Sequence, residues 1–228
     1  MLENNLNNIQ RLIDKAIGNR REEKITGGAV ALVAVSKDRS INVLTGALAS
    51  GVTIFGENKV QEAANKIPLV GGGRWHFIGH LQSNKVKKAV SLFELIYSID
   101  SLQLLHAVDT QARKQVKHQE ILLQVNIAQE ASKYGFTLAE VPTVAAIAGK
   151  LPNINLRGLM VIAPETDDAE QARPIFRKGY EAFCALPKYC QDCKADTLSM
   201  GMSGDFIVAV EEGANNIRLG TLLFGKYG

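Results

Sequence analysis

No stretch of this 228-residue sequence is apolar for long enough to cross a membrane. The amino terminus, Met1-Leu2-Glu3-Asn4-Asn5, lacks the basic segment and apolar core of a secretory signal, so the chain reads as cytoplasmic. Cysteine is scarce as well. The three that occur, Cys184, Cys190 and Cys193, are an odd number, which argues against a disulfide framework. The Cys190-Gln191-Asp192-Cys193 spacing suits a redox pair or half a zinc site, yet no second cysteine pair or paired histidines follow to complete a metal centre. Free thiols near a surface loop, and no metal, are expected. Charge of one sign is also missing: 26 Lys and Arg against 23 Asp and Glu leave +3. The local basic clusters Lys85-Val86-Lys87-Lys88 and Arg113-Lys114-Gln115-Val116-Lys117-His118 fall on expected helices and read as solvated faces rather than a nucleic-acid patch. No linker, low-complexity tract or composition break divides the chain, which predicts one domain over residues 1–228.

What the sequence does contain is a regular alternation. An amphipathic helix is expected over about 2–23, with Leu6, Ile9, Leu12, Ile13 and Ala16 at helical spacing. Short apolar, β-branched segments follow at 29–36, 52–55, 75–78, 95–99, 121–126, 156–161, 197–200 and 216–219, and these read as strands buried on both faces. Helical patterns lie between them at about 41–49, 59–66, 83–90, 101–117, 138–149, 168–185 and 205–212. Strands separated by helices pair in parallel through right-handed crossovers. An open doubly wound sheet is one solution. Eight such units in this length fit a closed (β/α)8 barrel with an additional N-terminal helix better.

In such barrels the chemistry sits at the C-terminal ends of the strands. Lys37 closes the first strand, where an amine delivered by an apolar run is partly desolvated and its neutral, nucleophilic form is favoured. Such an amine forms a Schiff base with an aldehyde; for an isolated lysine the alternative is one that snorkels into water. The loops after the seventh and eighth strands, Gly201-Met202-Ser203-Gly204 and Gly220-Thr221, combine glycine backbone N–H groups with hydroxyls and suit a phosphate. Ser203 is also expected as the N-cap of the following helix, and Asp205 as a first-turn acid pointing outward. Arg218 lies within the eighth strand, where alternation can turn it inward. Burial there demands a partner, either an ion pair with Glu57 or Asp205 or the ring nitrogen of a pyridine cofactor. A Schiff-base lysine, a phosphate cradle and an arginine for a ring nitrogen together specify pyridoxal 5'-phosphate.

The segments Ala34-Val35-Ser36-Lys37, Phe55-Gly56-Glu57-Asn58-Lys59-Val60-Gln61-Glu62 and Trp75-His76-Phe77-Ile78-Gly79-His80-Leu81-Gln82-Ser83-Asn84-Lys85 resemble the pyridoxal phosphate homeostasis proteins (the YggS/PROSC type). So do Arg157-Gly158-Leu159-Met160, Ser199-Met200-Gly201-Met202-Ser203, Ile217-Arg218-Leu219-Gly220-Thr221 and Phe224-Gly225. The resemblance implies a fold-type III barrel related to the N-terminal domain of alanine racemases. It implies pyridoxal 5'-phosphate held as a covalent aldimine on Lys37, with Ser203, Gly220 and Thr221 on the phosphate and Arg218 on the ring nitrogen. Asn58, His76 and Met160 would line the pocket. Lys59, Asn215-Asn216 and Leu222-Leu223 depart from the family pattern, which leaves fine packing and surface partners open but not the proposed contacts.

Three functions fit these residues: a carrier that buffers and supplies the cofactor without a catalytic cycle, a racemase or related enzyme, and a Schiff-base aldolase. A two-base racemase needs a second acid/base, which in the related enzymes comes from a second domain and a partner subunit. The sequence ends after the eighth unit, and Tyr97, Tyr134, Tyr180, Tyr189 and Tyr227 offer no evident substitute, although Tyr134 is expected on the rim loop 132–136. An aldolase needs the lysine but not the arginine. The expectation is a non-catalytic, monomeric carrier whose partners are pyridoxal phosphate and the apo-enzymes that receive it, with indirect effects on amino-acid and keto-acid pools.

Overall fold

The apolar run ending at Val35 forms β1 (Ala31–Val35), hydrogen-bonded to β2 (Ile54–Glu57) on one side and β8 (Asn216–Leu219) on the other. Between them follow β3 (Arg74–Phe77), β4 (Leu95–Ile99), β5 (Gln119–Val125), β6 (Ile154–Val161) and β7 (Thr197–Ser199), all parallel, so the sheet closes on itself. This computed structural model describes residues 2–130, 133–191 and 193–225. Ser132, Asp192 and Tyr227 lie outside the described residues. The helices are α1 (Leu2–Gly18), α2 (Ile41–Ala49), α3 (Val60–Val70), α4 (Val86–Leu92), α5 (Leu102–Lys114), α6 (Val141–Ala148), α7 (Arg173–Ala185), α8 (Phe206–Glu211) and α9 (Thr221–Phe224).

Two apolar layers hold the barrel. Val33, Ile54, Leu95, Tyr97, Leu122 and Met160 pack together inside it. Their strand neighbours, among them Ala34, Phe55, Ile96, Ile121, Leu123 and Leu159, join the larger cluster under the helices. Period-two alternation with both faces buried is why each strand reads as an apolar run rather than as a stripe. The helix α1 turns Ile9, Ile13 and Ala16 inward, packing against α8 and α9, and Asn5 donates to the Leu223 carbonyl at 2.8 Å.

The eight-stranded barrel with an extra N-terminal helix matches the sequence expectation, but several boundaries move for identifiable reasons. The strand expected at 52–55 starts at Ile54, because Val52 N–H donates to Ala47 O past Gly51 (φ 91°) and so finishes the α2 C-cap. The strand then runs on to Glu57, which therefore lies in the sheet instead of a rim loop. The expected first helix stops at Gly18; beyond it the Arg20 side chain bonds the Val210 and Ala214 carbonyls. The segment α3 continues through Pro68 to Val70 and ends at left-handed Gly71. A 3₁₀ turn at Ala169–Ala172 precedes α7, and the short α9 carries no sequence expectation. In β6 the register shifts beside Gly158, where a Cβ would stand 1.9 Å from Thr197 O, so only glycine fits.

Candidate functional site

The C-terminal ends of β1, β2 and β8 and the loops after β6 and β7 enclose a cavity of about 460 Å³. Its wall includes Lys37, Asn58, Ser203, Arg218, Gly220 and Thr221, six of the eight residues singled out in the sequence. The other two are placed elsewhere. His76 and Met160, expected to line the pocket, are buried within the barrel and are not on the cavity wall. Both occupy inward-facing strand positions below the rim, where the alternation that brings them inside also seals them off.

Lys37 follows β1 through Ser36, and its side chain is 44% exposed. The strand end desolvates the amine only in part: the apolar run buries Ser36 and leaves Lys37 half-buried in the mouth of the barrel. Its nearest charged partner is the Asp38 carboxylate at 4.0 Å. Behind it sits a buried ion cluster absent from the sequence reading. Glu57, fully buried, accepts from Ser36 Oγ (2.9 Å) and Lys66 Nζ (2.8 Å) through one oxygen and from Asn58 N (2.9 Å) through the other. Lys66 also donates to Ser36 O at 2.6 Å and to Glu62. The spacing of Glu62 and Lys66, four residues apart on one helix, was the available signal.

Arg218 is buried on the inner face of β8, but neither ion pair expected for it forms. Its Nη1 donates to Ser199 O (3.1 Å) and Ser199 Oγ (2.6 Å), and Nη2 to Val161 O (3.1 Å). Burial pushes the guanidinium down to about 10, partly opposed by Tyr97 and Asp205, so it stays charged at neutral pH. Ser199 passes the contact on to Asn216 Oδ1 (2.9 Å), which also accepts from the Tyr97 hydroxyl (3.2 Å). The Tyr97 oxygen lies 2.9 Å from His76 Nδ1. Because the phenol proton goes to Asn216, Nδ1 of His76 is assigned as the donor, and Nε2 has no bonding partner among the described residues. Burial lowers His76 to about 4, so it is neutral near pH 7.

The phosphate-like side of the cavity differs from expectation in two details. Ser203 is not an N-cap: α8 begins at Phe206, and the Ser203 hydroxyl instead accepts from Leu222 N at 3.3 Å, tying the loop after β7 to the first turn of α9. Asp205 does not point away; it stands on the cavity wall and accepts from Met202 N at 2.7 Å. Burial raises its pKa, against the opposing hydrogen bond from Met202 N and the charge of Arg218. Gly220 opens α9, so backbone N–H groups of the two loops and the Ser203 and Thr221 side chains border one space.

A second cavity of about 250 Å³ shares Asn58 with the first and is lined by His80, Gln124, Asn126 and Tyr134 among others. The His80 ring stacks on Tyr134, with centroids 3.7 Å apart, and its Nδ1 meets Asp100 Oδ2 at 3.0 Å. The Asn58 side-chain oxygen, at the wall between the cavities, has no bonding partner among the described residues. Cys190 and Cys193 line a different cavity, with Glu120, Arg157 and Asp196, beside the N-terminal ends of the strands. All three cysteines are free thiols, Cys190 buried and the others partly so. Among the described residues no group of three or more His, Cys, Asp or Glu side chains could hold a metal, and no helix is long and apolar enough to cross a membrane.

Charged donors, a hydroxyl-and-glycine cradle and a free amine around one cavity suit an anionic heteroaromatic aldehyde, and known proteins of similar sequence bear on that chemistry. Residues 18–228 match the family model of the alanine racemase N-terminal domain. The pyridoxal phosphate homeostasis protein of Haemophilus influenzae is 36% identical over 228 residues, covering 98% of this chain and 95% of that protein. Its counterpart in Escherichia coli K12 is 38% identical over 202 residues, with 86% and 85% covered. PipY of Synechococcus elongatus PCC7942, solved with PLP bound, superposes with a TM-score of 0.84 at 32% identity, over 99% of this chain and all of PipY. Alanine racemase from Corynebacterium glutamicum shares the fold alone, at 14% identity and a TM-score of 0.68 over 99% of this chain and 60% of that enzyme. The chain belongs to the pyridoxal phosphate homeostasis protein family, built on the alanine racemase N-terminal domain.

Proposed function

We propose that this protein binds pyridoxal 5'-phosphate in the cavity at the C-terminal rim, as a Schiff base on Lys37, and buffers and supplies it without a catalytic cycle of its own. The carrying observation is that Lys37, Arg218, Ser203, Gly220 and Thr221, from β-strand ends far apart in sequence, border one cavity. The donor set fits the ligand. Arg218, charged and buried, suits a ring nitrogen that is to remain unprotonated, which weakens the ring as an electron sink. Ser203, Gly220 and Thr221 suit the phosphate, and the unpartnered Asn58 oxygen suits a polar ring substituent. Bound pyridoxal phosphate would supply an electrophilic aldehyde; Lys37 holds it, and the exposed mouth lets an incoming amine reach it. His76 and Met160 act beneath the site rather than in it.

The same reading takes residues 1–228 as one domain that works as a monomer in the cytoplasm, with apo-enzymes as recipients of the cofactor. Incubation with pyridoxal phosphate is expected to give a visible absorption band, and borohydride reduction a peptide adduct at Lys37. A protein that stays colourless, or an adduct elsewhere that survives Lys37→Ala, would defeat this assignment. Solvent deuterium exchange at the α-carbon of amino acids, well above the rate with free cofactor, would instead identify an enzyme. Arg218→Ala is expected to weaken retention of the cofactor while Lys37 still reacts.

A further inference from the structure

Lys37 has a half-exposed side chain on a firmly held backbone. The carbonyl before it, on Ser36, accepts from Lys66 Nζ at 2.6 Å and from Arg39 N at 3.1 Å. The amide after it, on Asp38, donates to Glu62 Oε1 at 2.9 Å. Ser36 is itself pinned to β2, its N–H on Gly56 O (2.9 Å) and its hydroxyl on Gly56 O (3.1 Å) and Glu57 Oε1 (2.9 Å). Asp38 has φ 55°, a left-handed conformation that a non-glycine residue keeps only when its surroundings impose it. Glu62 and Lys66 bond to each other one helical turn apart on α3, and Lys66 reaches back to Glu57. A buried lysine bonded to a carbonyl and two carboxylates costs desolvation that a structural hydrophobe would not.

We propose that Lys66 and Glu62 are positioning residues for Lys37: from one turn of α3 they clamp the peptide groups on either side of it, so that the amine is presented to the cavity from a preorganised backbone. This rests on the reading of Lys37 as the anchor of an aldehyde. The clamp touches neither the cofactor nor the amine. It acts through the strained Ser36–Asp38 segment, which fixes where the Lys37 side chain starts and lowers the entropy lost when its neutral amine condenses with a held aldehyde, a C=N bond replacing C=O and the oxygen leaving as water with the two amine protons. Losing a hydrogen bond to a charged group corresponds to about tenfold in such an equilibrium.

Three variants separate this from a purely structural role. Removing Lys66 outright would strand two carboxylates, one of them fully buried, so the informative changes are Glu62→Ala, Glu62→Gln and Lys66→Arg. Glu62 is partly exposed, and its loss leaves the Lys66–Glu57 pair intact. Three readouts are compared: amide hydrogen exchange at Asp38 without ligand, the equilibrium constant of the pyridoxal phosphate Schiff base, and the affinity for pyridoxine 5'-phosphate, which has an alcohol in place of the aldehyde. In Glu62→Ala, exchange at Asp38 is expected to quicken and the Schiff-base constant to fall, each by about tenfold, with pyridoxine 5'-phosphate affinity unchanged. Glu62→Gln, which keeps an acceptor for Asp38, should restore both, and Lys66→Arg should lie between. An unaltered Schiff-base constant in Glu62→Ala, or an equal loss of both ligands, overturns the clamp. A wild-type protein that binds pyridoxine 5'-phosphate but forms no Schiff base overturns the anchor reading instead, and Asp38 exchange indifferent to Glu62 overturns the clamp independently of it.

Discussion

Arg218 Nη1 lies 2.6 Å from Ser199 Oγ, and through that hydroxyl the guanidinium is the upper end of a buried polar chain that runs by way of Asn216 and Tyr97 to His76. Each proton in the chain has one place: Arg218 donates to Ser199, Ser199 and Tyr97 both donate to Asn216 Oδ1, and His76 donates to Tyr97. Hydrogen bonds relayed in this way orient their members, and here the oriented member is the charged group in the cavity wall. Ser199→Ala removes Arg218's hydroxyl acceptor and one of the two donors to Asn216. It is expected to cost on the order of 1–3 kcal/mol of stability, read by urea denaturation, and to loosen the cofactor without altering the Lys37 adduct.

The lower end of the chain predicts a pH dependence. His76 has a folded pKa near 4 against an ordinary 6.5, because burial disfavours the imidazolium. Between those values the unfolded chain binds a proton that the folded chain does not, so stability falls as pH drops from about 6.5 toward 4 and is fully present above that window. The contribution is about 3 kcal/mol. Denaturant titrations from pH 7 to 4 should show that slope in the wild type and a flatter one in His76→Asn, whose side chain can still donate to Tyr97. Equal slopes would remove His76 as its source.

Asp205 places a carboxylate in the wall that is proposed to hold a phosphate. Two anions in one cavity repel, so Asp205→Asn, which retains an acceptor for Met202 N, is expected to bind pyridoxine 5'-phosphate about fivefold more tightly at pH 7. Because burial raises the Asp205 pKa, lowering the pH should narrow the gap between variant and wild type as the native carboxylate gains its proton. Calorimetry at two pH values decides it; weaker binding by the variant would mean that the loop hold on Met202 outweighs the charge.

Gly79 packs directly on the rim backbone. A Cβ there would fall 2.3 Å from Asn58 O and 2.7 Å from Asn58 Cα, neither of which can rotate aside. Gly79→Ala should therefore push Asn58 out of the wall between the two cavities, costing about 1–3 kcal/mol and weakening the ligand. A thermal melt unchanged from wild type would show that the loop shifts freely.

Much of the site is legible in the order of its segments. The eight short apolar segments announced parallel strands, and a barrel places the chemistry at their C-terminal ends, so Lys37, Arg218 and the two glycine loops could be grouped on that rule alone. What failed to read through was depth. His76 sits in the motif that most strongly carries the family resemblance, yet lies below the cavity, bonded to Tyr97. Glu57, a candidate partner for Arg218, is instead the buried partner of Lys66. Asp205 looked like an outward helix-start acid and faces the cavity. For Glu57 and Asp205 a shift of one or two residues in an element boundary decides where the side chain lies, and sequence patterns do not locate boundaries that finely; for His76 it is depth along an inward-facing strand, which alternation does not encode.

The barrel, its order of strands and helices, and the residue types gathered at one rim are legible in the chain alone, because hydrophobic periodicity and turn chemistry are local properties. Closure of the barrel is what leaves Lys37 half in solvent on a clamped backbone, holds Arg218 by Ser199 and Val161 rather than by a carboxylate, and keeps His76 neutral and off the cavity wall. Those outcomes depend on which groups from distant strands meet in the interior and how much water each retains, and such desolvation and pairing terms exist only once the barrel has closed.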